Sequence, residues 1–121
     1  MSTVHIQGVG KFDEREGYWL AEPEQLHGAI LTIESATISA GHEARAKVVC
    51  DNWEAILAAC SQFIEANRES YKLLAGTFSG PNVFIETEED WSVYFDTESE
   101  IEAVVGVNFK SNEPFQLIVG D

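Results

Sequence analysis

Asp51-Asn52-Trp53-Glu54-Ala55-Ile56-Leu57-Ala58-Ala59-Cys60-Ser61-Gln62-Phe63-Ile64 places its apolar side chains three and four residues apart, the period of a helix with one buried face. Tyr71 and Leu74 continue the stripe after a skip at Asn67. Asp51 followed by Glu54 fits an N-cap with a capping-box acid, and Gly76 stands where a C′ glycine would end the element. Glu65 and Glu69 face Arg68 and Lys72 at helical spacings on the polar side. The pattern predicts one long helix over about residues 51–75.

On either side of that helix the period changes to two. Upstream, Val4 and Ile6 alternate with His5 and Gln7, Tyr18-Trp19-Leu20-Ala21 is short and aromatic, and Ala29, Leu31 and Ile33 alternate with Ile30, Thr32 and Glu34. Glu22-Pro23-Glu24-Gln25 reads as a turn between them. Residues 44–50 read either way: Ala44, Ala46 and Val48 alternate, yet Glu43-Ala44-Arg45-Ala46-Lys47 is built of good helix formers. Downstream, Val83–Thr87, Trp91–Asp96, Ala103–Phe109 and Phe115–Val119 are strand candidates joined by short polar turns, which implies an antiparallel meander. The predicted fold is a single α+β domain over residues 1–121. It is a mainly antiparallel sheet, N-terminal strands plus a C-terminal four-strand meander, with the helix packed on one face.

The chain has 121 residues, enough for one domain with a genuine core, and 45% hydrophobic residues make it a folded globule rather than a tail. Seven Lys and Arg stand against 21 Asp and Glu, a net charge of −14. That balance opposes binding to nucleic-acid phosphates or anionic membranes and favours basic proteins, cationic ligands or divalent cations. No apolar run approaches the roughly 20 residues of a membrane span. Met1-Ser2-Thr3-Val4-His5 shows no basic-then-apolar leader pattern, and two cysteines make no disulfide framework. On one helix Cys50 and Cys60 would lie about 15 Å apart. These features together point to the cytoplasm.

Between Glu86 and Glu102 there are eight acidic residues and no basic one. Such a run is often only a solvated face, but unmixed sign costs self-repulsion that a surface kept merely for solubility would avoid. In the alternating Trp91-Ser92-Val93-Tyr94-Phe95-Asp96, the set Trp91, Val93 and Phe95 reads as core. Ser92, Tyr94 and Asp96 read as an exposed strip. The candidate partner-binding residues are therefore Glu86, Glu88, Glu89, Asp90, Tyr94, Asp96, Glu98 and Glu100.

The other chemistries find little footing. Neither acidic segment has the spacing or the glycine of a calcium loop, and with 21 acids some pair always suits a glycosidase. His5, His27 and His42 are scattered, without metal-ligand spacing, and read as surface or strand residues. Gly8-Val9-Gly10 lacks the rest of a dinucleotide loop, and Cys50 and Cys60 read as small buried hydrophobes. No catalytic residue, cofactor or metal is expected. Adjacent Tyr18 and Trp19 must point to opposite faces of a strand, leaving one exposed as a possible anchor.

Phe12-Asp13-x-x-x-Gly17-Tyr18-Trp19, Gly28-Ala29-Ile30-Leu31-Thr32-Ile33, a Trp-containing helix and a meander ending Ile118-Val119-Gly120-Asp121 together resemble small uncharacterised bacterial domains. In size, acidity and element order the chain is also similar to cytoplasmic immunity proteins of bacterial toxin systems. That resemblance implies a non-enzymatic protein that blocks a basic toxin, such as a nuclease, through an acidic surface. It carries over no site residues. The alternatives are an assembly module that self-associates through an exposed edge, and a small-molecule-binding domain or enzyme with a pocket between helix and sheet.

Overall fold

A computed structural model describes residues 2–67, 78–97 and 104–120. The strands are β1 (Thr3–Ile6), β2 (Gly10–Glu14), β3 (Trp19–Ala21), β4 (Leu31–Ile33), β5 (Phe78–Ile85), β6 (Asp90–Thr97), β7 (Val104–Lys110) and β8 (Glu113–Gly120). They form one sheet whose spatial order is the order of the chain. Every neighbouring pair is antiparallel except β4 and β5, which run parallel in the register Leu31↔Val83, Thr32↔Phe84 and Ile33↔Ile85. Parallel neighbours need a crossover, and here helices α1 (Ala40–Asp51) and α2 (Trp53–Asn67) supply it. The chain is therefore α+β, with the four-strand meander the alternation predicts and one parallel joint where the helices intervene.

The helical segment differs from the single element expected over 51–75. Residues 44–50 are helical and belong to α1, and Asp51 is its last residue rather than an N-cap. Asn52 leaves the helical region at φ −127° and ψ 24°. Its side-chain amide donates to the Val48 carbonyl at 2.8 Å, while its own carbonyl accepts from Ile56 at 2.9 Å. One residue thus closes α1 and opens α2. Residues 68–75, with the stripe positions Tyr71 and Leu74, and the proposed stop at Gly76 lie outside the described residues.

The start of α1 is a capping box in which histidine replaces the usual acid. Ser39 Oγ accepts from the His42 backbone N–H, and His42 Nδ1 accepts from the Ser39 backbone N–H at 3.0 Å. His42 is buried, unlike the surface or strand residue expected, because its ring closes this cap; His5 and His27 are exposed.

Both helices sit on one side of the sheet. The α2 stripe buries Trp53, Ile56, Cys60 and Ile64, with Leu57 and Phe63 packed against it. Opposite lie Leu31, Ile33, Val83, Ile85, Val93, Val105 and Val107, all without exposed surface. Each such side chain contributes about 1.5–3 kcal/mol relative to an exposed one. Fully buried Phe12 belongs to β2, which has no apolar alternation in its sequence. Its Gly-Lys-Phe-Asp-Glu sequence has one core-facing position, and its partner pairing fixes it after a turn with Gly8 at φ 83°. Cys50 and Cys60 are buried free thiols on different helices. Burial raises Cys50 to about 11, with Asp51 adding to it, and Cys60 to about 12.

Candidate functional site

The strand period that buries Val83, Ile85, Trp91, Val93 and Phe95 must turn their neighbours the other way. Asn82 and Phe84 on β5, Glu86 just past its end, and Ser92, Tyr94 and Asp96 on β6 therefore share the face that carries no helix. There they line a hollow of about 540 Å³. A second hollow of about 480 Å³, reaching Tyr18, Leu20 and Ile30, shares Glu34, Asn82 and Phe84 with the first. The two form one groove across the middle strands. Among the described residues its lining includes Glu34, Glu86 and Asp96 and no Lys, Arg or His.

The floor of the groove is held rigidly. Tyr94 lies opposite Gly106 on β7, and a Cβ built on that glycine would stand 2.5 Å from the Tyr94 ring. The ring occupies the space a side chain would need. It also meets Phe84 edge-on, with centroids 5.5 Å apart at 90°, a favourable aromatic geometry. Asn82 is pinned too, its Oδ1 accepting from the Ile30 backbone N–H at 3.1 Å. Tyr18 is 38% exposed and Trp19 6%. Trp19 takes the core side and donates its indole N–H to the Ala36 carbonyl at 3.1 Å, so Tyr18 is the exposed member of the pair.

Glu34 and Glu86 are brought together by the parallel joint. The register that pairs Ile33 with Ile85 continues to them, and the Glu34 N–H donates to the Ile85 carbonyl at 2.8 Å. Partial burial, then the neighbouring Glu86 charge, pushes the Glu34 carboxyl above its usual range. Among the described residues neither carboxylate forms an ion pair. At the other end of the groove, Asp96 lies against Gly80, its Oδ2 3.1 Å from where a Cβ would stand.

The eight acidic-run candidates do not form one patch. Glu86, Tyr94 and Asp96 line the groove. Glu88, Glu89 and Asp90 sit in or beside the β5–β6 turn, where Lys110 reaches Asp90 at 2.9 Å and Glu89 at 3.7 Å. The hydrogen bond from that ammonium holds the Asp90 carboxyl below its usual range and raises Lys110. Part of the turn's charge is thus neutralised internally. Glu98 and Glu100 lie outside the described residues.

The turn is fastened to α1 and to the β7–β8 hairpin. Because His42 Nδ1 accepts a backbone hydrogen bond, Nε2 carries the ring proton and donates to the Glu86 carbonyl at 2.7 Å. Arg45, 6% exposed, donates through Nε to the Glu88 carbonyl at 2.6 Å and through Nη1 to Asn112 Oδ1 at 2.9 Å. Its guanidinium stands 5.2 Å from the Trp91 ring centre, and Trp91 stacks on Phe109 with centroids 4.1 Å apart. Burial pulls the Arg45 pKa down, partly opposed by Glu88. The acids at this end are therefore presented on a fixed frame.

Reading for charge alone overlooks Glu34, Asn82 and Phe84. The alternation of β5 is a sufficient signal for Asn82 and Phe84, since both share parity with Glu86. Glu34 gives no such signal, because its neighbour Glu86 lies 52 residues away in the chain. Among the described residues no group of three His, Cys, Asp or Glu converges to hold a metal ion, and no helix is long and apolar enough to cross a membrane. No protein-family model, curated protein or solved structure matches this chain.

Proposed function

We propose that this protein is an acidic binding module that neutralises a basic protein partner, acting by occupancy rather than catalysis. Its narrowest form is a cytoplasmic bacterial immunity protein that blocks a cognate toxin such as a nuclease. The observation that carries this reading is the groove, with three carboxylates, a Phe84–Tyr94 centre in edge-to-face contact and, among the described residues, no cation in its lining. Charge of one sign steers a cationic partner and speeds encounter, while rigid aromatics supply anchoring area. Carboxylates seated where a nuclease receives phosphates would exclude its substrate by charge and by volume.

Capture from a lysate of the source organism with a salt gradient supplies the partner, and association kinetics test the surface. Glu34→Lys with Glu86→Lys should slow association at least tenfold and flatten its salt dependence. The turn substitutions Glu88→Lys with Glu89→Lys should act less strongly. If the association rate and its salt slope survive the groove reversal, this face is not the interface.

A second reading rests on a different observation. Strand β8 ends the sheet order and exposes Phe115 at 56%, Ile118 at 37% and Val119 at 41% in an otherwise acidic chain. Self-association through this edge would bury apolar surface and strengthen as salt screens the like charges. Sedimentation velocity at low and high salt distinguishes it, because a monomer at every concentration removes this reading.

A further inference from the structure

Taking the groove as the partner-binding face, as proposed above, we infer that its occupant is an amphipathic α-helix with cationic side chains near both ends and an apolar centre. The first argument is backbone accounting. A sheet face presents side chains only, since its backbone N–H and C=O groups are spent between strands. An extended segment laid on a face would find no partners for its own backbone groups. Recognition by strand addition takes place at edges for that reason. A helix satisfies its backbone internally and needs only side-chain contact. The opposite face of this same sheet is already covered by α1 and α2.

The second argument is the placement of charge along the groove. Glu34 and Glu86 stand at one end, and Asp96 stands beside Gly80 at the other. Glu86 donates its N–H to the Asp90 carbonyl at the start of β6, and Asp96 lies six positions further along that regularly paired strand, a span of about 20 Å at the rise of a strand. Between them lie Phe84 and Tyr94, in edge-to-face contact. A helix covers about 20 Å in about 13 residues. The complementary segment therefore carries arginine or lysine at two places about three to four turns apart, with apolar residues on the same face between them. A second copy of this chain, at net charge −14, is a poor electrostatic fit, and so is an anionic lipid surface.

Fluorescence anisotropy with synthetic peptides tests the inference on the intact protein. The probe is a labelled 15-residue helix with arginine at both ends of a leucine-bearing face. Its comparator is the same peptide with two central residues outside the arginine and leucine positions replaced by proline, which breaks the helix and keeps the charge. The helical probe should bind at least tenfold more tightly than the proline comparator. Glu86→Gln with Asp96→Asn should weaken it at least fivefold, whereas the charge-matched Glu22→Gln with Glu54→Gln, away from the groove, should change it less than twofold. Circular dichroism establishes that each variant is folded. Equal binding of both peptides, still reduced by the groove variant, overturns the helix and leaves the acidic-face reading standing. Equal loss in the groove variant and its charge-matched control overturns the placement in the groove. Binding of neither peptide also overturns the helix, and the acidic-face reading is then judged by the association kinetics of the captured partner.

Discussion

The ring of Tyr94 lies across Gly106 so closely that a Cβ on the glycine would stand 2.5 Å from ring atom Cε1. A cross-strand pair of this kind replaces one residue's missing side chain with its neighbour's aromatic face. It removes most of the tyrosine's freedom before any partner arrives, so little ordering cost is left for binding.

Gly106→Ala is therefore expected to destabilise the fold by about 1–3 kcal/mol through overpacking. Strand propensity alone would give the opposite sign. In a Tyr94→Ala background the penalty should largely vanish. Urea denaturation of the four proteins measures the coupling, and additive losses would show that the ring does not hold that space.

Arg45 joins α1 to two hairpin turns with directed donors that lysine cannot reproduce. Arg45→Lys and Arg45→Ala should both cost about 2 kcal/mol, the scale of charged hydrogen bonds lost from a buried donor. Thermal or urea unfolding reads this directly. Full rescue by lysine would mean that charge alone matters at this position.

Cys50 and Cys60, raised by burial to about 11 and about 12, should remain unreactive towards a thiol-specific disulfide reagent at pH 8. Two thiols per chain should react once the protein is unfolded. The sign of the linkage follows from the raised values: the folded state holds these protons more tightly than the unfolded one. Stability from this source is complete below about pH 8.5, the ordinary thiol range, and falls as pH rises towards the folded values. Rapid labelling of either thiol in native buffer would contradict this burial.

Glu34 has its carboxyl raised by burial and by Glu86, so its ionised form is less favourable folded than unfolded. Its contribution is most favourable at acid pH and is lost as pH rises through the folded value. Glu34→Gln should stabilise the protein at pH 7 by about 0.5 kcal/mol, a size set by solvent screening of exposed charges. The gain should disappear below the carboxylate range. Unfolding free energies from pH 3 to 8 for both proteins check the sign, and a destabilised glutamine variant at pH 7 would reverse it.

Local period made much of this molecule legible in its sequence. The spacing from Trp53 to Ile64 gives a helix and its buried face, because consecutive turns bring those side chains onto one stripe. Alternation across Trp91–Asp96 separates the core side from the strip of Ser92, Tyr94 and Asp96, because successive strand residues face opposite ways. The bend at Asn52 and the cap at His42 are less visible. Each depends on a side chain doing a backbone's work, and periodicity does not record that.

What the sequence by itself determined is the class of the strongly periodic elements, the face each of those buries and the acidity of the whole. What only the tertiary structure decided is which acids share a surface. Glu34 stands beside Glu86 because the two-helix crossover returns the chain to run β5 parallel to β4, while Glu89 and Asp90, close to Glu86 in sequence, are tied to Lys110 at the sheet's end. The physical reason is range. Secondary structure is fixed by neighbours a few residues apart, whereas a site is assembled by strand pairings whose partners can lie half a chain away.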